Sequence, residues 1–221
     1  MKERNSVLDE RRWDELLIRL CGKDCSGKSF QRIVDAYSEP HRRYHTGDHI
    51  EACLSEFDRI RDVCESPDQV ECALWLHDVV YDPRASDNEE KSALWGMEIL
   101  SWSGCPKRAA NHVRELILVT KHVQTPVSMD ARLMVDIDLS ILGQTSVVFD
   151  AYEKNIRSEY SWVPEESYRK RRSKVLHSFF QRPSIFFTKR FEEFYGVQAR
   201  KNLENSLRAL GGETGTMRHS L

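Results

Sequence analysis

Apolar residues in this chain recur every three or four positions, and no stretch alternates apolar with polar long enough to form a half-buried strand. Stripes of that period can be hidden only against other helices, so the pattern predicts an all-α bundle. Trp13, Leu16, Leu17 and Leu20 make the stripe of a first helix, ended near Gly22. A second runs from Phe30 to Tyr37 and stops at Pro40. A third starts near Tyr44, carries Ile50, Cys53, Leu54, Phe57 and Ile60 on one face, and ends before Pro67. The fourth begins at Asp68, turns Val70, Ala73, Leu74 and His77 inward, and stops near Pro83; the stretch 83–88 reads as a loop. Helices follow over Asn88 to Ser101, Lys107 to His122, and Met129 to Leu142 closed by Gly143, then over 146–160, 165–181, 184–194 and 197–209. No linker rich in Pro, Gly or Ser divides the chain, so one domain is expected over 1–210, with a frayed tail over 211–221.

A chain of 221 residues buries a core without covalent staples. Its 33 Lys and Arg against 35 Asp and Glu leave a net charge of −2, so no global field recruits nucleic acid or a membrane surface. The basic run Arg169 to Arg172 with Lys174 reads as a solvated helix face rather than an RNA site. No apolar run reaches the roughly 20 residues a bilayer span needs, and the charged N-terminus has no signal-peptide core, so a cytoplasmic location is expected. The six cysteines are scattered and read as free thiols, with no disulfide or structural zinc. The stripe Phe179, Phe180, Phe186, Phe187, Phe191, Phe194 and Tyr195 reads as core or as the seam of a homodimer.

Three segments carry metal-ligand side chains among apolar neighbours: Tyr44-His45-Thr46-Gly47-Asp48-His49, Leu76-His77-Asp78 and Asp136-Ile137-Asp138-Leu139. On a continuous helix, His45 and His49 lie one turn apart. His49 continues the inward stripe of Cys53 and Phe57. His77 faces the core, and Asp78 sits in an apolar segment with no Lys or Arg in the preceding turn, so it needs a cation. Asp136 and Asp138 point to different faces, and spacing alone does not choose between them. Mixed imidazole and carboxylate donors suit Mn, Ni, Co, Fe, Zn or Mg, and an ion there would lower the pKa of bound water toward about 7.

On these residues the chain resembles the HD-domain metal-dependent phosphohydrolase superfamily. His49, His77-Asp78 and Asp138 look like its H…HD…D ligand set, and the likeness favours Asp138 over Asp136. The Tyr44 to His49 stretch is also similar to the Tyr-His-Asn-x-x-His motif of cyclic-nucleotide phosphodiesterases, with Thr46 in place of the Asn. PHRRYHTGDHI, LWLHDVVYDPRASDNEEKSA, VDIDLSILG, IRSEYSWVP and QARKNL resemble a bacterial group of predicted HD-superfamily phosphohydrolases across nearly the whole chain.

The resemblance implies metal ligation by His49, His77, Asp78 and Asp138. It implies hydrolysis of a phosphate ester or anhydride of a small, nucleotide-like molecule by metal-bound hydroxide. His45 is then the general acid, and His45, Asp78 and Lys121 are the catalytic candidates. Arg42, Arg43 and Arg157 are candidates for holding the phosphate, together with Lys121. Asp82, Asn88, Glu89 and His122 are candidates for a second metal or for orienting water, although Asn88 and Glu89 equally suit the start of a helix. Two alternatives carry different expectations: a di-iron oxygenase of the same fold, with His122 as the spare ligand, and a non-catalytic metal-binding regulatory module.

Overall fold

The computed structural model describes residues 7–22 and 29–211. Within them the protein is all-α, as the period predicts. Cys25 and the expected tail beyond Gly211 lie outside the described residues. Close packing divides the chain into two units, Met1–Asp138 and Leu139–Leu221.

The first unit contains α1 (Glu10–Cys21), α2 (Ser29–Tyr37), α3 (Gly47–Asp58), α4 (Pro67–Leu76), α5 (Asn88–Trp102), α6 (Lys107–Val119) and α7 (Met129–Asp138), with a short 3-10 turn at Arg61–Val63. Its centre is α4. Val70 through Leu76 are all buried, so this helix has no polar face and packs against α1, α3, α5, α6 and α7. Pro67 sits at its first turn, where a missing N–H costs nothing. Trp75 lies 5.5 Å from Trp13, and the Tyr37 hydroxyl donates to the Trp75 carbonyl at 2.9 Å, which ties α1 and α2 to α4.

Charged side chains are also carried into this core, and Glu71 shows how one is accommodated. Glu71 is 2% exposed and accepts from Arg12 at 2.7 Å, Arg19 at 2.9 Å and Arg61 at 2.8 Å. Asp68 and Asp58 hold the outer ends of the same guanidiniums. A buried carboxylate is tolerated when its lone pairs are filled in this way. Burial alone would raise the Asp68 pKa, but the hydrogen bonds from Arg19 and Arg61 outweigh it and hold the carboxyl below its ordinary value.

The second unit begins with a 3-10 turn, Leu139–Gly143, and continues through α8 (Ser146–Glu159), α9 (Glu165–Phe180), the short α10 (Lys189–Phe191), a π-turn at Glu192–Gly196, and α11 (Val197–Ala209). The helix expected over 184–194 therefore begins only at Lys189: 184–188 is loop, and α10 passes directly into the π segment. The seventh helix ends at Asp138 rather than Leu142, because the chain tightens into the 3-10 turn there. Phe179, Phe186 and Phe191 of the aromatic stripe are buried, whereas Phe194 is exposed. In the basic run, Arg172 is not solvated: it is folded inward onto Glu153 and the Tyr152 hydroxyl. Asn202 braces the 3-10 turn by donating to the carbonyls of Leu142 at 2.9 Å and Gln144 at 2.8 Å.

Gly143 lies against the π-turn. A Cβ there would stand 2.4 Å from the Tyr195 Cβ and 2.8 Å from its carbonyl oxygen. Backbone cannot yield as a side-chain tip does, so Gly143→Ala is expected to destabilise the protein by about 3 kcal/mol. A lower denaturant midpoint in chemical unfolding of this variant is the measurement that checks it.

Candidate metal centre

The site lies wholly in the first unit, where three chain segments converge. His49 occupies the first turn of α3, on the inward stripe with Ile50 and Cys53. His77 and Asp78 follow the last turn of α4, and Asp138 is the last residue of α7. His49 Nε2 and His77 Nε2 stand 3.2 Å apart. Asp78 Oδ2 is 3.2 Å from His77 Nε2 and 3.6 Å from His49 Nε2. Asp138 Oδ1 is 3.4 Å from His49 Nε2 and 3.6 Å from His77 Nε2.

Separations of this size are compatible with one ion between the donors. Donors bound at about 2.1 Å lie about 3.0 Å apart in an octahedron and about 3.4 Å apart in a tetrahedron. The donor chemistry fits as well. His77 Nδ1 faces the Leu74 carbonyl at 3.0 Å, a contact that holds the proton on Nδ1 and leaves the Nε2 lone pair for the site. A His, Cys, His and Asp cluster that can hold a metal ion is thus present: the donor atoms of His49, Cys53, His77 and Asp138 all lie within 4.8 Å of one another.

Imidazoles and carboxylates shift one another inside the cluster. Burial opposes a charged His77 imidazole, yet the Asp78 and Asp138 carboxylates outweigh it and hold its pKa well above the ordinary value. Burial likewise opposes ionised Asp78 and Asp138. The neighbouring imidazoles prevail, His77 foremost at Asp78 and His122 foremost at Asp138, and both carboxyls are held down.

Several expected positions differ. His45 is not on a helix. Thr46 is extended and caps α3, so His45 sits in the loop before it, with its ring 4.1 Å from Tyr81 in a stack and 6.1 Å from the His49 ring. The helix boundary follows from the turn at Tyr44–Thr46, closed by the Thr46 N–H on the Tyr44 carbonyl at 2.7 Å. His77 and Asp78 also leave the helix earlier than expected, because α4 ends at Leu76.

Arg42, expected to hold a phosphate, instead braces the turn that follows α4. It is buried, and its guanidinium donates to the carbonyls of Asp78 at 2.7 Å, His45 at 3.0 Å and Val79 at 3.0 Å. It thereby satisfies carbonyls released by the end of α4, work that usually falls to a C-terminal glycine motif. Arg43 is exposed and donates to the backbone carbonyls of Pro40 and Arg42. Arg157 belongs to the second unit, where its guanidinium bonds Glu165 and the Tyr160 and Val163 carbonyls.

Lys121 is paired with Glu90 and the Ser86 carbonyl. His122 does reach the cluster, with Nε2 3.2 Å from Asp138 Oδ2, and it holds a left-handed backbone at φ 56°, a conformation uncommon outside glycine. Asp82 and Asn88 staple their own loop: Asn88 exchanges hydrogen bonds with the Asp82 backbone at 2.9 and 3.1 Å, and Asp82 Oδ1 accepts from the Arg84 N–H at 2.8 Å. Asn88 is the first residue of α5, after Asp87 as its cap, rather than the cap itself, and Glu89 lies half-buried in that first turn. Asp136 is buried in α7, outside the His, Cys, His and Asp cluster.

The residue that the sequence reading passed over is Cys53. Periodicity assigns it to the apolar stripe, although its position four residues after His49 on the same face is a His-x-x-x-Cys spacing. Among the described residues no helix is long and apolar enough to cross a membrane. Compared with protein-family models, curated proteins and solved structures, the chain matches none.

Proposed function

We propose that this chain is a metal-dependent phosphohydrolase of the HD type, cleaving a phosphate ester or anhydride of a small, nucleotide-like substrate. The observation that carries the reading is that His49 and His77 stand 3.2 Å apart and that Asp78 and Asp138 each lie 3.2–3.6 Å from both of them. A divalent ion bound there supplies Lewis acidity toward a phosphoryl oxygen and an acidified water.

The chain's own residues supply the rest. His49 and His77 present their Nε2 lone pairs. His77 is fixed in rotation by the Leu74 carbonyl, and Asp78 and Asp138 set the charge of the pocket. His45 is held half-buried on the Tyr81 ring, beside the cluster and not within it. An imidazole there carries the proton delivered to the leaving oxygen. Lys121, once released from Glu90, and Arg43 remain the candidates for meeting non-bridging oxygens, each through exchange of its present partners.

The test is a screen. Chain stripped by a chelator and reloaded with Mn, Ni, Co, Fe, Zn or Mg is offered phosphate monoesters, nucleotides and dinucleotides, and released phosphate is read. Release with at least one metal, abolished by chelation, is the expected result. Bound metal with no release from any substrate removes the reading.

A second reading has one observation of its own. Asp138 turns Oδ1 to His49 and His77 and Oδ2 to His122, a carboxylate divided between two sides that suits two ions. A di-iron oxygenase of the same fold would show dioxygen uptake with Fe(II) and no released phosphate.

A further inference from the structure

We propose that Cys53 Sγ is a donor to the ion held by His49, His77 and Asp138, and that the centre therefore takes a thiophilic divalent ion, Zn(II), Co(II) or Fe(II), in preference to Mg(II). The inference rests on the metal-binding reading above and names which ion the site selects.

Cys53 follows His49 by one turn of α3 and shares its inward face. It is 2% exposed, so its sulfur meets protein rather than bulk water. Sγ lies 3.8 Å from both ring nitrogens of His49, and within 4.8 Å of the donor atoms of His77 and Asp138. Zinc binds thiolate at about 2.3 Å and imidazole at about 2.0–2.1 Å. Sulfur and nitrogen on one ion are then about 3.1 Å apart at a right angle and about 3.8 Å apart at 120°. The observed 3.8 Å separation from His49 Nε2 matches the wider angle, which a five-coordinate or distorted tetrahedral ion adopts.

A buried thiol is usually core filling, inert and surrounded by hydrocarbon. Cys53 differs because it shares its pocket with two imidazoles and a carboxylate. Burial, reinforced by Asp138 and Asp78, pushes its pKa up, so the metal-free thiol keeps its proton. On ligation the S–H bond breaks, the sulfur pair becomes the metal–sulfur bond, and the proton leaves to solvent. Magnesium, which demands oxygen donors in a near-ideal octahedron, gains little from sulfur and nitrogen, whereas zinc, cobalt and iron gain from both.

Co(II) titration of the full, chelator-stripped chain is the test, followed by absorption spectroscopy. The expected result is ligand-field bands in the visible together with a sulfur-to-cobalt charge-transfer band in the near ultraviolet. Cys53→Ser should lose the near-ultraviolet band, keep the visible bands, and bind Zn(II) about 10–100-fold more weakly. Its Mg(II) affinity should be unchanged. Because the wild-type spectrum already reports the sulfur, the outcome does not depend on the variant folding. Visible bands at one ion per chain without the charge-transfer band overturn the role of Cys53 and leave the metal centre standing. Absence of any bound cobalt overturns both.

Discussion

Asp138→Ala is expected to abolish tight metal retention, with affinity falling by about 100-fold or more and phosphate release lost with it. Loss of a direct donor costs at least as much as loss of the partners that merely orient donors. Asp138 touches three imidazoles: Oδ1 stands 3.4 Å from His49 and 3.6 Å from His77, and Oδ2 stands 3.2 Å from His122. Metal analysis of the purified variant, followed by calorimetric titration, checks the prediction, and full metal content in Asp138→Ala would exclude Asp138 as a ligand.

The same cluster sets a pH dependence. Asp78 and Asp138 hold the His77 pKa above 6.5, so a proton competes with the ion over a range that begins above the usual histidine value. Metal affinity should therefore weaken as pH falls, starting above pH 6.5. In chelator-treated protein the sign reverses for stability. The charged imidazole contributes fully below the unfolded-state value near 6.5, and that contribution is lost as pH rises through the raised folded value. Thermal scans with and without metal separate the two effects.

Arg42→Ala is expected to be the most destabilising single change near the site, by about 3–5 kcal/mol. The Arg42 side chain is fully buried and donates to Glu39 and to three backbone carbonyls, and it lies 5.2 Å over the Tyr37 ring and 5.5 Å from the Tyr81 ring. Its removal leaves those carbonyls buried and unsatisfied and opens a void beside them. In a chain of this size the loss corresponds to a fall in Tm of about 10 °C. Arg42→Lys should recover little, because one ammonium cannot replace a planar fork that reaches His45, Asp78 and Val79 at once. Differential scanning calorimetry of both variants checks this. If the surviving folded protein also binds metal weakly, Arg42 positions the His45 loop and the Asp78 turn as well as stabilising them.

The helices were legible because their cause is local. The stripe of Trp13, Leu16, Leu17 and Leu20 and the left-handed Gly22 that ends it are written within a dozen residues, and the same holds for the apolar run that makes α4 the buried centre. Where the structure departs from the local pattern, the causes are distant in sequence. The end of α4 carries no glycine or proline; Arg42, 36 residues upstream, accepts the role of its cap. His45 left its helix through a tight turn and a carbonyl held by that same arginine. Cys53 could be assigned to a face by periodicity, but no periodicity says what lies opposite that face.

The sequence by itself determined that this chain is helical, which residues face inward, and that His49, His77, Asp78 and one of Asp136 and Asp138 sit where unpaired polar groups are not tolerated, since burial and local backbone preference act over a few residues. Only the tertiary structure decided that both carboxylates lie 3.2–3.6 Å from the two imidazoles, that a cysteine stands beside them, and that an arginine expected to meet substrate is a strut. Those outcomes depend on how α3, α4 and α7 pack, a property of distances between segments that no local rule contains.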